Sequence, residues 1–122
     1  MKYLILIASN ARSRATWQSF SADEQKAGLA AYAELHEDLL ASGELVVAEA
    51  LAGPEAGRRL PASVPGWETD GPFAEAKEQL AGFFLVECDG LDRAAEIAAR
   101  IPEASLGLVE VRPCQAPGGL EM

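Results

Sequence analysis

The decapeptide Thr69-Asp70-Gly71-Pro72-Phe73-Ala74-Glu75-Ala76-Lys77-Glu78 separates two halves of this chain that repeat one order of predicted elements. Asp-Gly-Pro is incompatible with a regular helix or a central strand. Glycine tolerates positive φ, proline fixes φ, and the residue before a proline is pushed away from helical ψ. The backbone therefore turns sharply between two blocks of regular structure.

The sequence before this turn predicts a strand, a helix and a second strand. Residues 2–8 form a near-continuous apolar run, which is typical of a strand buried on both faces or placed centrally. Residues 9–20 are polar, contain Arg12, Arg14 and Trp17, and predict a loop. A second strand is expected at residues 45–51.

The first predicted helix has clear end signals. Ser21 and Glu24 form a capping box at its start, and Gly43 follows its last residue, Ser42. Spacing of three and four residues predicts one apolar stripe on this helix. The stripe consists of Leu29, Tyr32, Ala33, His36, Leu39 and Leu40.

The half after the turn repeats the order. A strand is predicted at residues 80–88, a helix at 90–101 and a last strand at 108–112. Residues 67–69 predict a short strand that leads into the turn, after a loop at 52–66 rich in Pro and Gly. This order is the split βαβ, ferredoxin-like plan: an α+β fold with an antiparallel sheet and two helices on one face.

The other face of such a sheet would be bare. The strands carry apolar residues such as Ile5, Ile7, Phe84 and Val86, so exposure of this face would be costly. A homodimer that packs sheet on sheet removes the cost. One domain is expected at residues 1–113, with a loosely held tail at 114–122.

Charge and composition limit the kinds of partner that this protein could bind. The formal net charge of −9 disfavours direct nucleic-acid binding and docking to an anionic membrane. No apolar run is long enough for a transmembrane helix, and residues 1–7 read as a strand rather than a signal peptide. Cys88 and Cys114 lack metal-ligand spacing, so we expect no metal site and two ordinary thiols in a cytoplasmic protein.

Once these elements are placed, the chain resembles a known family. Residues 69–78, followed by Gly82-Phe83-Phe84, look like the signature of the DGPF subgroup of YCII-related proteins. Residues 1–7 and 107–113 are similar to that subgroup too. The resemblance implies a dimeric α+β barrel with a pocket near the sheet of each protomer and the motif turn.

The family also supplies functional expectations. Some YCII-type proteins carry a proposed His–Asp pair with its histidine on the first helix, and at least one branch acts on a chlorinated aromatic ring. Counting back from the helix end places that histidine position at Tyr32, with His36 one turn further on, so this chain departs from the pair pattern. The subgroup is also associated, by gene neighbourhood or fusion, with extracytoplasmic-function (ECF) sigma factors.

The motif supplies most of the candidate site residues. Asp70 is the predicted general base or ligand acceptor; alternatively, it caps its own turn. Phe73 would line a pocket for an aromatic ligand or anchor the core or an interface. Glu75, Lys77 and Glu78 would bind a polar ligand or form a solvated charged stretch.

The first helix supplies the other two candidates. His36 is the only histidine and suits acid–base work near neutral pH, although its place on the apolar stripe also fits core packing. Tyr32 would offer its hydroxyl to the pocket or pack in the core.

The sequence thus predicts a homodimer that binds a small organic molecule. Any chemistry would be proton transfer without a cofactor, with Asp70 as the base and His36 or Tyr32 assisting. The alternatives are a non-enzymatic regulatory module that binds a protein such as a sigma factor, and a structural dimer.

Overall fold

A computed structural model describes residues 1–67 and 78–115. The Asp-Gly-Pro turn, most of the short strand predicted at 67–69 and the end of the predicted tail lie outside these residues. Along the chain the elements are β1 (Lys2–Ser9), α1 (Ala11–Ser19), α2 (Ala22–Ser42), β2 (Leu45–Ala50), a 3₁₀ turn (Pro54–Ala56), β3 (Gln79–Glu87), α3 (Leu91–Ala99), a second 3₁₀ turn (Pro102–Leu106) and β4 (Val109–Pro113).

The four strands form one antiparallel sheet in the order β2-β3-β1-β4. Ile5 in the centre of β1 lies opposite Phe84 of β3 on one side and Val111 of β4 on the other. Each outer strand is reached by a helical crossover from the central strand of its own half, and it pairs with the central strand of the other half. This arrangement confirms the predicted ferredoxin-like α+β fold.

The core lies between the sheet and the helices α2 and α3. Its largest fully buried side chains are Ile5, Leu35, Leu39, Val86, Ile97 and Ile101. On β1 the odd-numbered residues point to the helices, because side chains alternate between the two faces of a strand. The apolar residues that the sequence named for the strands, Ile5, Ile7, Phe84 and Val86, all belong to this core.

The predicted stripe of α2 was partly wrong. Leu35 and Leu39 are buried, with Tyr32 packed against the core, whereas Leu29 and Leu40 are 61% and 58% exposed and His36 is also exposed. The buried face shares Tyr32 and Leu39 with the predicted stripe but is rotated around the helix axis toward Leu35. Apolar side chains occur on two adjacent faces of α2, and packing against the sheet selects the one that carries Leu35.

The predicted loop at residues 9–20 was also wrong, since α1 occupies most of it. Asn10 caps this helix by accepting a hydrogen bond from the Ser13 amide at 2.8 Å, and the Ser13 hydroxyl accepts one from the Asn10 amide at 2.9 Å. No residue of α1 is buried. A helix without an apolar face leaves no periodic signal in the sequence, which explains the error.

The end signals of α2 were correct. The Ser21 hydroxyl and the Glu24 carboxylate exchange hydrogen bonds with each other's amides, and Gly43 adopts a left-handed φ of 78° after Ser42.

The second face of the sheet carries its own apolar set. Leu4 lies opposite Leu85, Leu6 opposite Phe83, and Val47 opposite Leu85, and none of these residues belongs to the helix-side core. We refer to Leu4, Leu6, Val47, Phe83 and Leu85 as the open sheet face. The residues that the sequence analysis named for the bare face, Ile5, Ile7, Phe84 and Val86, were therefore wrong, because they face the helices. The second face carries the apolar residues one position away from them.

Within residues 1–67 and 78–115, no helix is long and apolar enough to cross a membrane. Cys88 and Cys114 are free thiols. They flank β1 on opposite sides, since the Cys88 amide donates to the Met1 carbonyl and the Cys114 amide to the Lys2 carbonyl. Two strand spacings, roughly 10 Å, are too far for a disulfide between them.

Candidate functional site

Three of the seven predicted site residues, Tyr32, His36 and Glu78, lie in the part of the chain that the structure describes. Asp70, Phe73, Glu75 and Lys77 lie outside the described residues, and Glu78 is exposed just before β3. The other two candidates, Tyr32 and His36, are one turn apart on α2, but only Tyr32 lines a cavity. The expectation that His36 packs in the core is wrong, because its side chain is exposed on the outer side of α2.

Tyr32 lines an open cleft of about 570 Å³ between α1, the first half of α2 and the 3₁₀ turn Pro102–Leu106. We call it the helix cleft. Its apolar walls are Trp17, Phe20, Leu29 and Leu106, all of which are partly exposed. A mostly apolar cavity of this size, with a few convergent polar groups, is typical of small-molecule sites.

The shape of the cleft depends on how α1 packs on α2. The Trp17 ring lies so close to Gly28 that a Cβ atom there would be 3.1 Å from Trp17 Cζ3. The Gln25 side chain donates a hydrogen bond to the Trp17 carbonyl at 2.9 Å, and the Phe20 ring meets Trp17 edge to face at 6.0 Å. Glycine at position 28 thus allows an aromatic wall to rest directly on the α2 backbone.

Tyr32 is held by contacts on two sides. Its ring stacks on Phe84 of β3, with centroids 6.4 Å apart and planes 11° apart. Its hydroxyl donates a short hydrogen bond to the Glu103 carboxylate. Glu103 follows Pro102, which begins the 3₁₀ turn immediately after the buried Ile101, so the position of its backbone is constrained.

Two effects act on the Tyr32 hydroxyl. Burial raises the pKa of this hydroxyl well above its usual range, and the hydrogen bond to the Glu103 carboxylate raises it further. A phenol already keeps its proton at neutral pH, and both effects reinforce this state, so Tyr32 acts as a hydrogen-bond donor. The proton acceptor of the pair is the Glu103 carboxylate.

Arg14 supplies the cation of the cleft. Its Nη1 donates to the Ser9 hydroxyl at 3.2 Å and to the Gln79 side-chain oxygen at 3.3 Å. Both partners are neutral, and no carboxylate of residues 1–67 or 78–115 forms an ion pair with Arg14. Arg14 and Glu103 are the charged side chains among the described residues that line the cleft.

Sequence reasoning missed Arg14 and Trp17 as site residues because it placed them in a loop. The Asn-x-x-Ser spacing at residues 10–13 was the available signal for a helix there. It missed Glu103 because a carboxylate after Ile101-Pro102 resembles an ordinary exposed turn. Nothing local indicates that this side chain meets Tyr32.

A second, polar depression lies at the start of α3 and is organised by an ion pair. Arg93 Nε donates to Glu44 Oε2 at 2.9 Å and its Nη2 donates to Oε1 at 2.7 Å. The hydrogen bonds from Arg93 lower the pKa of the Glu44 carboxyl to about 2. Because Glu44 directly precedes β2, this pair ties α3 to the edge of the sheet.

A metal site was not expected from the sequence. In the part of the chain that the structure describes, no group of three or more His, Cys, Asp and Glu side chains could hold a metal ion.

Together, the strand order and the helix cleft define a small ferredoxin-like α+β domain with a cavity on its helical side. The YCII-related domain model matches residues 1–115, and the chain therefore belongs to the YCII-related family. The family assignment made from the sequence is confirmed.

Two proteins show what this chain is similar to. An uncharacterised protein of Rhizobium meliloti (strain 1021) is 54% identical over 46 residues, a match that covers 36% of this chain and only 37% of that protein. The structure of 5-chloro-2-hydroxyhydroquinone dehydrochlorinase (TftG) from Burkholderia phenoliruptrix AC1100, in complex with 2,5-dihydroxybenzoquinone, covers 97% of both chains with a TM-score of 0.50. At 16% identity this likeness shows the fold.

Proposed function

We propose that this protein binds a small organic molecule in the helix cleft. The observation that carries the proposal is the Tyr32–Glu103 pair, which faces a cavity of about 570 Å³ with aromatic and aliphatic walls. The apolar walls would hold the body of the ligand, and the pair would recognise a polar group on it. Such a division of roles is usual in small-molecule sites.

The pair would also support proton transfer without a cofactor. A ligand hydroxyl placed beside Glu103 would lose its proton to the carboxylate, while the protonated Tyr32 would donate a hydrogen bond to the oxygen left behind. This assigns Tyr32 the assisting role expected from the sequence and gives the acceptor role to a carboxylate that the sequence did not indicate.

Asp70 keeps its place in the proposal on sequence grounds. The Asp-Gly-Pro-Phe turn is the basis for placing this chain in the DGPF subgroup. We propose that Asp70 faces the ligand as a second carboxylate, with Phe73, Glu75, Lys77 and Glu78 contributing to binding. If Asp70→Asn bound every ligand of the parent protein equally well, Asp70 would have no part in recognition.

The first experiment is a binding screen with hydroxylated aromatic rings, beginning with 2,5-dihydroxybenzoquinone, the ligand of the TftG structure. Amide NMR spectra would be recorded at rising ligand concentration. We expect shifts that cluster at residues of α1, the first half of α2 and residues 102–106. Saturable shifts elsewhere, with none around Tyr32, would refute the helix cleft as the site.

We further propose that the protein is a homodimer joined through the open sheet face. The centre of this face is apolar, the β2 edge carries Glu49 opposite Phe83, and the β4 edge carries Arg112 opposite Leu4. On the β4 edge Glu110 lies opposite Leu6, 3.8 Å from Arg112, and offsets its charge. Two copies related by a two-fold axis would bury the apolar centre of the face.

The regulatory alternative has its basis in the family association with ECF sigma factors, and no contact among the described residues favours it. Calorimetry with a sigma factor encoded nearby would test it. Absence of binding at micromolar concentration would count heavily against a direct complex.

A further inference from the structure

We infer that the ligand of the helix cleft is an organic anion, and that the guanidinium of Arg14 binds its negatively charged group. This inference rests on the proposed binding function and specifies the chemical class of the ligand. A carboxylic acid with an apolar body and a hydroxyl group fits the observed set of side chains. The acid would meet Arg14, the body would meet the apolar walls, and the hydroxyl would meet Tyr32 and Glu103.

The first argument is the environment of Arg14. Its observed hydrogen-bond acceptors are the neutral oxygens of Ser9 and Gln79, both contacted by the same Nη1 atom. A guanidinium has five N–H donors arranged in a fork that matches a carboxylate. Donors are therefore left over for a ligand, while Ser9 and Gln79 hold the group in place.

The second argument is the contrast with three other arginines of the domain; Arg12 and Arg58 also form no ion pair among the described residues, but neither lines the cleft. Arg93 pairs with Glu44 and Arg100 with Asp38, each at 2.7 Å, and Arg112 lies 3.8 Å from Glu110. In a chain with a formal net charge of −9, acidic partners are plentiful. Arg14 nevertheless forms no such pair within residues 1–67 and 78–115, and it lines the helix cleft.

The third argument concerns the rest of the helix that carries Arg14. The sequence of α1 contains two arginines, Arg12 and Arg14, and no acidic residue. The field along this wall of the cleft is therefore positive against an acidic background, which favours an anion locally. Glu103 on the opposite wall is hydrogen-bonded by Tyr32, which reduces its repulsion of a bound anion.

The test compares acids with their neutral amides, which have nearly the same shape. The probes are benzoate, 4-hydroxybenzoate, 3-phenylpropionate and hexanoate, each paired with its amide and titrated by calorimetry and amide NMR. At least one acid should bind about tenfold or more tightly than its amide, as expected for a charge-assisted contact. Its affinity should also fall as salt is added, since salt screens the attraction.

Arg14→Gln and Arg12→Gln form a matched pair of variants. Both side chains are exposed on α1, but only Arg14 lines the cleft. Arg14→Gln should weaken binding of the acid much more than binding of the amide and so abolish the preference, whereas Arg12→Gln should keep most of it. Circular dichroism would verify that α1 and the fold persist in both variants.

The outcomes distinguish this inference from the proposed function. If acids and amides shift the same cleft resonances with equal affinity, the cleft binds small molecules and the anion inference is overturned. An acid preference that survives in Arg14→Gln overturns the assignment to Arg14. If no probe of either charge shifts the cleft resonances, the proposed function fails and this inference fails with it.

Discussion

The Tyr32 hydroxyl donates a hydrogen bond to the Glu103 carboxylate, although the two residues lie 71 positions apart in the chain. Tyr32 belongs to the first βαβ half and Glu103 to the second. The bond therefore joins the two halves on the helical side of the sheet, at the wall of the helix cleft. Stacking of Tyr32 on Phe84 adds a contact with the central strand β3.

The first prediction concerns the role of this pair in binding. Tyr32→Phe removes the donor and keeps the ring that stacks on Phe84, while Glu103→Gln keeps the shape and removes the acceptor charge. Each variant should bind a hydroxylated ligand with about tenfold lower affinity, as expected from the loss of one charge-assisted hydrogen bond. Calorimetry with a ligand from the screen measures the effect.

His36→Gln is the control on the same helix. Because His36 is exposed and does not line the cleft, this substitution should change neither affinity nor the free energy of unfolding by more than about 0.5 kcal/mol. Equal binding by the parent protein, Tyr32→Phe and Glu103→Gln would remove the pair from the site.

The second prediction is a pH dependence that originates at Glu44. Arg93 depresses the pKa of Glu44 to about 2 in the folded protein, below the value near 4.3 that is usual for an unfolded chain. Stability from this pair should therefore be fully present above about pH 5 and lost as the pH falls toward 2. Glu44→Gln should lower the free energy of unfolding by about 1 kcal/mol at pH 7 and by less at pH 3.

Urea unfolding of both proteins across this pH range provides the measurement. Asp38→Asn is the control, because the Asp38 side chain is 55% exposed against 16% for Glu44, so the Arg100–Asp38 pair should contribute little. If the free energies of unfolding of Glu44→Gln and the parent protein differed by the same amount down to pH 2, the pH dependence would not originate at Glu44.

The third prediction concerns strand packing at Gly82. A Cβ atom there would lie 2.8 Å from the Glu49 carbonyl oxygen of β2, and backbone atoms of a paired strand cannot easily move away. Gly82→Ala should destabilise the protein by about 1–3 kcal/mol. At Gly90 an added Cβ meets nothing within 4 Å. In urea unfolding, Gly90→Ala should therefore have a midpoint close to that of the parent protein, whereas the midpoint of Gly82→Ala should be lower. Equal midpoints for both variants would refute the close approach.

The fourth prediction concerns the oligomeric state. If the open sheet face joins two copies, light scattering should give the mass of a dimer at micromolar concentration, and Leu6→Glu should give a monomer because it places a charge in the apolar centre. Ala95→Glu adds the same charge on the exposed side of α3 and should leave the dimer intact. A monomer mass for the parent protein would refute the proposed interface.

Several elements were readable from local sequence because their signals are local. The capping box of Ser21 and Glu24 and the left-handed Gly43 bound α2 by hydrogen bonds and backbone geometry within a few residues. The apolar runs of β1 and β3 identify strands in the same way. The order of these elements then led to the ferredoxin-like sheet, since few topologies connect two βαβ halves into one sheet.

The candidate site was only partly predictable. Tyr32 was named from the family resemblance, and the structure adds its hydrogen bond to Glu103. His36 was expected on the packed face, yet the buried stripe runs through Leu35 and Leu39. The two stripes of α2 share Tyr32 and Leu39, and the helix pattern alone contained no reason to prefer either.

By itself the sequence determined the four strands, the two core helices, the ferredoxin-like plan, the acidic composition and the family, because these depend on periodicity, end signals and composition. Tertiary structure decided which face of α2 packs on the sheet, and it brought Arg14, Trp17, Tyr32 and Glu103 around one cleft. The physical reason is that a cleft is made by distant segments. Packing between elements decides which side chains line the cleft. The residues next to each of them in the sequence give no signal of such packing.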